Sequence, residues 1–378
     1  MKDYSGRRDF VKTSGLTAGL TILKPHLARG AQANSALSVG VIGVGNRGSY
    51  VSGIFAKNEF ARIGAICDIY DDQLAAAQKI FSGARTFKNI QDLLASDVDA
   101  VYIATPIYLH PEHFELAVQA RKHIFMEKAA AVDAAGCRRV IEAAKKADPT
   151  KRISVDFQQR YGREYNKAYQ IVRSGQLGAI KMVRASWLSG GLPLRKGHAA
   201  GEEKVRNWLY YREHSGDIIV EQNCHNFDVV NWFMGTHPVK ASGYGGRQVR
   251  TDIGNILDNL AVTFQFAGGV VLSYSATQFS TTNFQDVSET FICEKGSINT
   301  SRRGYKLYNK TQRGAPPEEV ATGYDITKDA VDAFVDGART GKLENAAFSA
   351  AESTLTAIMG REAIYSGKEM TWDQVTRM

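Results

Sequence analysis

A doubly wound α/β domain with a parallel sheet, followed by an α+β domain with a largely antiparallel sheet, is the fold class that this 378-residue sequence predicts. Three observations carry the prediction. The apolar run Leu37–Ile42 leads directly into glycines and then into a helical pattern. Strand-like and helix-like segments alternate up to about residue 155, as crossover connections in a parallel sheet require. Beyond that point, strand-like runs rich in Ser, Thr, Val, Phe and Tyr follow one another with few helices between them.

Taken in order, Leu37–Ile42 reads as a buried strand, and a helix follows the glycines toward Lys57. Residues 62–67 form a second strand ending at Asp68, and 71–81, with three consecutive alanines, form a helix. A buried strand at 98–104 is closed by Thr105 and Pro106. A helix at 112–121, a strand at His123–Met126, a helix at 133–146 and a strand at 152–155 complete the first half. In the second half, 163–174 is helical, and 181–188, 259–266, 270–277 and 288–293 are strands. Residues 217–234 read as one helix between them, and 325–339 and 349–366 as closing helices. The loops expected to move are 190–201 and 311–323.

Bulk properties exclude several classes. The formal charge of +8 suggests nucleic acid, but six bases and two acids within residues 1–33 supply half of it, and no basic stripe remains elsewhere. The four cysteines, Cys67, Cys137, Cys224 and Cys293, show no metal-type spacing and read as free thiols. No segment has the length and apolarity of a membrane span, so no stable membrane insertion is expected. Arg7-Arg8, Phe10, the weakly apolar stretch 13–23 and Ala31-Gln32-Ala33 together resemble a twin-arginine signal over 1–33, which implies a periplasmic or otherwise exported protein.

The run Gly43, Val44, Gly45, Asn46, Arg47, Gly48 stands between a strand and a helix, the context a dinucleotide-binding turn needs. Gly43 permits the tight turn, Gly45 lets the backbone approach a pyrophosphate, and Gly48 lets helix and strand pack closely. The helix N-terminus offers free N–H groups to the phosphates. Asp68, at the end of the next strand, suits both hydroxyls of an adenosine ribose and repels a 2′-phosphate. Residues 34–156 are therefore read as a Rossmann domain binding NAD in preference to NADP, and 157–378 as the substrate-binding and oligomerisation domain.

Thr105, Pro106 and His110 follow one strand, and Glu127 and Lys128 follow another, at the carboxyl ends where such sheets bind ligands. Glu221, His225 and Asp228 share one face if 217–234 is a continuous helix. The segments GVIGVGNRG, AVYIATPIYLH, HIFMEK and DIIVEQNCHNFD resemble the glucose–fructose oxidoreductase and inositol dehydrogenase family, Gfo/Idh/MocA, from about residue 37 to the C-terminus. The resemblance implies that Lys128 and His225 stand beside the substrate and the nicotinamide, and it implies a homodimer or homotetramer. Three positions depart from the pattern: Ala129 replaces a proline, Glu221 an aspartate and Asn223 a glycine.

These residues suit oxidation of a CH–OH group of a sugar, polyol or glycoside. His225 suits the hydroxyl proton, Lys128 polarises the oxygen or shares the proton, with burial near another cation lowering its pKa, and Glu221 orients Lys128 or a substrate hydroxyl. Arg160, Tyr161, Asn207, Tyr211 and Asn223 are the candidate substrate-binding residues. Glu221, His225, His214 and Asp217 match no zinc spacing, so no metal is expected. Export implies an NAD that does not dissociate. A fixed cofactor leaves a second reading, an NAD-assisted glycoside hydrolase or lyase working through a transient keto-sugar.

Overall fold

Strand β1 (Leu37–Ile42) is buried along its whole length and forms the centre of the first sheet. The computed structural model describes residues 36–309 and 314–378. The twin-arginine segment, and part of the loop expected at 311–323, lie outside the described residues. With β2 (Ala61–Cys67), β3 (Arg85–Phe87), β4 (Ala100–Ile103), β5 (His123–Met126) and β6 (Ile153–Val155), β1 builds a six-stranded parallel sheet of order β3-β2-β1-β4-β5-β6.

Side chains alternate strictly across this sheet, as the two-residue strand period demands. Val39, Val41, Tyr102 and Phe125 enter one core, and Ile42, Val101, Ile103, Ile124 and Met126 enter the other. The first core is covered by α1 (Asn46–Phe55) and α2 (Asp71–Ile80). The second is covered by α3 (Ile90–Leu94), α4 (His110–Gln119) and α5 (Ala134–Lys145).

After α6 (Arg163–Arg173), β7 (Ile180–Leu188) opens a nine-stranded sheet. Four short helices follow: α7 (Glu203–Arg206), α8 (Arg212–Ser215), α9 (Ile218–Glu221) and the longer α10 (Cys224–Met234). Strands β8 (Lys240–Gly246), β9 (Asn259–Gln265), β10 (Val271–Thr277), β11 (Asp286–Cys293), β12 (Gly296–Ser301), β13 (Gly304–Asn309) and β14 (Glu318–Ala321) then fill the sheet. Its order is β14-β13-β12-β11-β7-β10-β9-β8-β15, with β15 at Met370–Thr371. Every pair is antiparallel except β7 with β10.

Two findings depart from the sequence reading. Helix α11 (Thr327–Thr340) returns to the first sheet and completes its core, where Phe334 meets Phe55 edge-on at 6.0 Å and Phe125 at 5.3 Å. Residues 217–234 are two helices, not one. Asp217 sits at φ 81° and its carboxylate accepts the Ile218 N–H at 2.6 Å, which starts α9. The helix stops at Glu221, where the Asn223 N–H bonds back to the Ile218 carbonyl at 3.1 Å and the Glu221 carbonyl accepts the Lys128 ammonium.

Helix α12 (Ala347–Ser366) lies between the sheets, against α5, α10 and β8. Its small residues allow this approach: a Cβ on Gly360 would stand 2.7 Å from the Phe264 ring. Thr354 on this helix accepts the Ala130 N–H at 3.0 Å and so fixes the loop after Lys128. Because Phe334 is fully buried in the core of the first sheet, Phe334→Ala should lower the unfolding free energy by about 3–5 kcal/mol, read by urea denaturation.

Candidate active site

One continuous groove runs along the carboxyl ends of β1, β2, β4 and β5. Its outer part, about 510 Å³, is lined by the ends of β1 and β2, by Asn89 and by Pro106. Its inner part, about 410 Å³, is lined by Lys128, Trp187, Glu221 and His225. Gly45, Thr105, Arg195, Arg206 and Trp208 belong to both.

The glycine turn is as tight as the sequence implied. Gly43 holds φ 89°, and a Cβ on Gly48 would lie 2.0 Å from the Gly43 carbonyl oxygen. Helix α1 starts after Gly45 with no side-chain cap, so its first N–H groups face the groove unengaged. Asp68 accepts the Val44 N–H at 3.0 Å and the Tyr70 N–H at 3.0 Å, which ties its carboxylate to the edge of the outer groove. A diphosphate fits at Gly45 and a ribose diol at Asp68. Arg195, absent from the sequence-derived set, strengthens the fit: its guanidinium reaches to 3.6 Å from where a Gly45 Cβ would stand. Asn207 holds Arg195 there by bonding both its N–H (2.9 Å) and its carbonyl (3.0 Å).

Arg47 points away from the phosphate position. It binds Glu127 at 2.9 Å and also Asp156, while Tyr102 donates to Glu127 at 2.8 Å. Burial would lower the Arg47 pKa, but the carboxylates of Glu127 and Asp156 raise it overall. Burial and the nearby Glu127 charge push the Asp156 carboxyl well above the usual range, while Arg47 pulls it back down. The network forms the floor beneath Lys128.

Lys128 and Glu221 meet at 2.6 Å across the two halves of the molecule. Burial alone would lower the lysine pKa, as expected from the sequence, but the Glu221 carboxylate outweighs it and the pKa is raised. Lys128 is therefore a permanent ammonium. His225 is 4% exposed and bonds Gln159 Oε1 through Nδ1 at 3.2 Å. An amide oxygen only accepts, so Nδ1 carries the proton and Nε2 keeps its lone pair. Burial first, then the cations Arg302, Lys128 and Arg47, depress the His225 pKa well below its ordinary value. The site pairs a fixed cation with a neutral base.

Thr105, Pro106, Asn46, Glu127 and Asn207 line the groove, as do Gly43, Gly45, Arg47, Gly48, Asp68, Lys128, Glu221 and His225. Five other assignments are corrected. His110 is fully buried, with its ring nitrogens against the carbonyls of Ala129 (2.7 Å) and Thr105 (2.9 Å), so it braces two loops behind the groove. Arg160 is held by Asp228 at 2.8 and 2.9 Å. Tyr161 donates to Glu344 at 2.6 Å, away from the groove. Tyr211 lies beside Lys204 and His214, and its neighbour Tyr210 lines the groove instead. Asn223 is fully buried outside the groove. Sequence reasoning missed Gln158, Trp187, Arg195 and Arg302, which carry no motif, and Gln222, which lies within the quoted segment DIIVEQNCHNFD. Among the described residues no three His, Cys, Asp or Glu side chains gather as a metal site.

The description "Oxidoreductase family, NAD-binding Rossmann fold" matches residues 37–157, and the "GFO/IDH/MocA C-terminal domain" matches 165–299. The chain belongs to this NAD-binding oxidoreductase family. It is 28% identical to inositol 2-dehydrogenase of Corynebacterium glutamicum over 70% of this chain and 73% of that one. Myo-inositol 2-dehydrogenase from Lactobacillus plantarum shares the fold at TM-score 0.73 and 20% identity, over 89% of this chain and 99% of that one. Levoglucosan dehydrogenase, solved with NADH and levoglucosan, shares it at TM-score 0.77 and 18% identity, over 90% and 100%.

Arg195→Ala should weaken NADH binding about tenfold to a hundredfold, the scale of one hydrogen bond to a charged group, and Gly48→Ala should abolish it. Titration of NADH fluorescence reads both.

Proposed function

We propose that this chain oxidises a secondary hydroxyl of a sugar or polyol with NAD. The observation that carries the reading is the juxtaposition, at the inner end of a dinucleotide groove, of a charged lysine and a neutral histidine. The inositol and levoglucosan dehydrogenase names of its relatives point to the same substrate class.

NAD, when bound, supplies the hydride acceptor. The chain's own residues do the rest. Asp68, Gly45 and Arg195 place the dinucleotide along the groove. Lys128 donates a hydrogen bond to the reacting oxygen and stabilises the negative charge that grows there. His225 Nε2 takes the hydroxyl proton, while Gln159 holds the ring in the tautomer that allows this. Glu221 keeps Lys128 charged and aimed. Trp187, Trp208 and Tyr210 offer aromatic faces to the carbohydrate C–H groups and exclude water.

The retained cofactor expected from export finds no support in the groove. Arg206 reaches across the outer groove to Asp72 and the Tyr70 ring, but Ile69 at the adenosine end stays 65% exposed, which favours an exchanging NAD. No feature of the site favours the hydrolase or lyase reading. Arg7-Arg8 with its flanking pattern still supports export, and the uncovered face of the nine-stranded sheet, bearing Arg184, Thr263 and Ser273, supports a homo-oligomer. Cell fractionation followed by light scattering checks both: an exported pool larger than a monomer is expected, and Arg7→Lys with Arg8→Lys should retain the protein in the cytoplasm.

Lys128→Ala and His225→Ala should each reduce kcat at least about a hundredfold, the usual scale of acid–base catalysis, with NADH binding kept. Turnover without either residue would remove it from the mechanism. Because His225 must be neutral and its pKa is depressed, kcat/KM should stay level down to about pH 6.5 and fall only below it.

A further inference from the structure

We propose that the substrate carries an anionic group, a carboxylate or a phosphate on the sugar or polyol, and that Arg302, set against Trp187, receives it. The proposal rests on the oxidoreductase reading above and names the substrate class for that same site.

The charges of the groove lead to it. Glu127 is committed to Arg47, and Glu221 to Lys128. Arg206 is committed to Asp72 and Glu202. Two guanidinium groups on the groove wall, Arg195 and Arg302, have no carboxylate partner among the described residues. They sit at different places. Arg195 stands over Gly45 and faces both parts of the groove, where a pyrophosphate answers it. Arg302 faces only the inner part. The diphosphate is answered at Gly45 and Arg195, which leaves Arg302 as the inner-groove cation that a substrate anion can reach.

Geometry places Arg302 beside the chemistry. Its guanidinium carbon lies 5.6 Å from the centroid of the Trp187 ring. That indole stacks on His225, with centroids 5.9 Å apart and planes 14° from parallel. One aromatic ring thus links the cation to the base. The indole Nε1 is buried with no acceptor among the described residues, a second donor in the same corner. Arg302 is exposed, but its turn is fixed: Ser301 Oγ accepts the Arg303 N–H at 3.2 Å, and Thr322 N–H binds the Arg303 carbonyl at 2.8 Å. The side chain thus extends from an anchored backbone to the Trp187 ring.

Glu289 does not cancel this charge. It is buried beneath the site and accepts bonds from Asn226 (2.6 Å), Thr300 (2.7 Å) and Tyr165 (3.3 Å). Burial pushes its pKa up to about 7 while these three donors and, more weakly, Arg302 pull it down, and it makes no ion pair with Arg302 among the described residues. A substrate anion at Arg302 would fix which hydroxyl meets His225, because the two contacts lie on one rigid wall. It would also offset a positive charge that His225 feels, and so strengthen the base once substrate is bound.

The test uses the full chain with NAD and a panel of glucuronate, gluconate, glucose 6-phosphate, glucose and myo-inositol. The best anionic substrate should exceed the best neutral one at least about tenfold in kcat/KM, with the difference mainly in KM. Arg302→Ala should lower kcat/KM for the anion about tenfold to a hundredfold more than for the neutral sugar, and Arg302→Lys should restore part of the loss. The acid and phosphate arms tell the two anions apart. Equal or better turnover of a neutral polyol, with Arg302→Ala affecting both classes alike, overturns the proposal. If NADH binds but no carbohydrate is oxidised, the oxidoreductase reading fails by itself. Quenching of tryptophan fluorescence by glucuronate or glucose 6-phosphate in the NADH complex then decides: saturable quenching lost in Arg302→Ala supports the anion site, and no quenching by either overturns it.

Discussion

The ion pair between Lys128 and Glu221 ties the two halves of this molecule together. Lys128 follows β5 of the parallel sheet, and Glu221 ends α9 beside the antiparallel one. Both side chains are nearly buried, so each needs the other; removing one partner of such a pair typically costs about 3–5 kcal/mol. The same contact lies at a helix break. The Glu221 carbonyl accepts the lysine ammonium at the point where α9 ends, and α10 restarts with His225 in its first turn. The pair therefore brings the lysine charge, the helix break and the base together at one point.

Electrostatics follows from that arrangement. Burial first, and then the charges of Arg302, Lys128 and Arg47, depress the His225 pKa and favour the neutral imidazole. The carboxylates nearby are spent on other cations, Glu127 and Asp156 on Arg47 and Glu221 on Lys128. A cation that never titrates and a base that is free at neutral pH suit removal of a proton from an alcohol. The groove outside them has the opposite character, with unengaged backbone N–H groups and Arg195 awaiting phosphate charge.

Much of this was legible in the sequence where one local rule dictates one local structure. The Gly43–Gly48 spacing encodes a turn in which a Cβ has no room, and Asp68 follows from strand length. Alternating apolar runs encode the parallel sheet. Legibility failed where tertiary contacts override local pattern. The run 217–234 has helical periodicity throughout, yet it breaks after Glu221, where the distant Lys128 meets the Glu221 carbonyl and the Asn223 N–H turns back to Ile218. His110 and Tyr161 look like cleft residues beside a motif, yet their polar atoms are used by Ala129, Thr105 and Glu344. Arg195 and Arg302 lie in loops without any motif, and their meaning comes from which carboxylates are already taken. The expectation of a lowered lysine pKa failed because burial was foreseen and the strength of the Glu221 partner was not.

The state of His225 tests the account most directly. Nitrogen-15 spectra of histidine-labelled protein, with His225→Gln to assign the signal, report both its charge and its tautomer. At pH 7 a neutral ring protonated on Nδ1 is expected. An imidazolium at that pH, or a neutral ring protonated on Nε2, would contradict the proposed division of labour between His225 and Lys128.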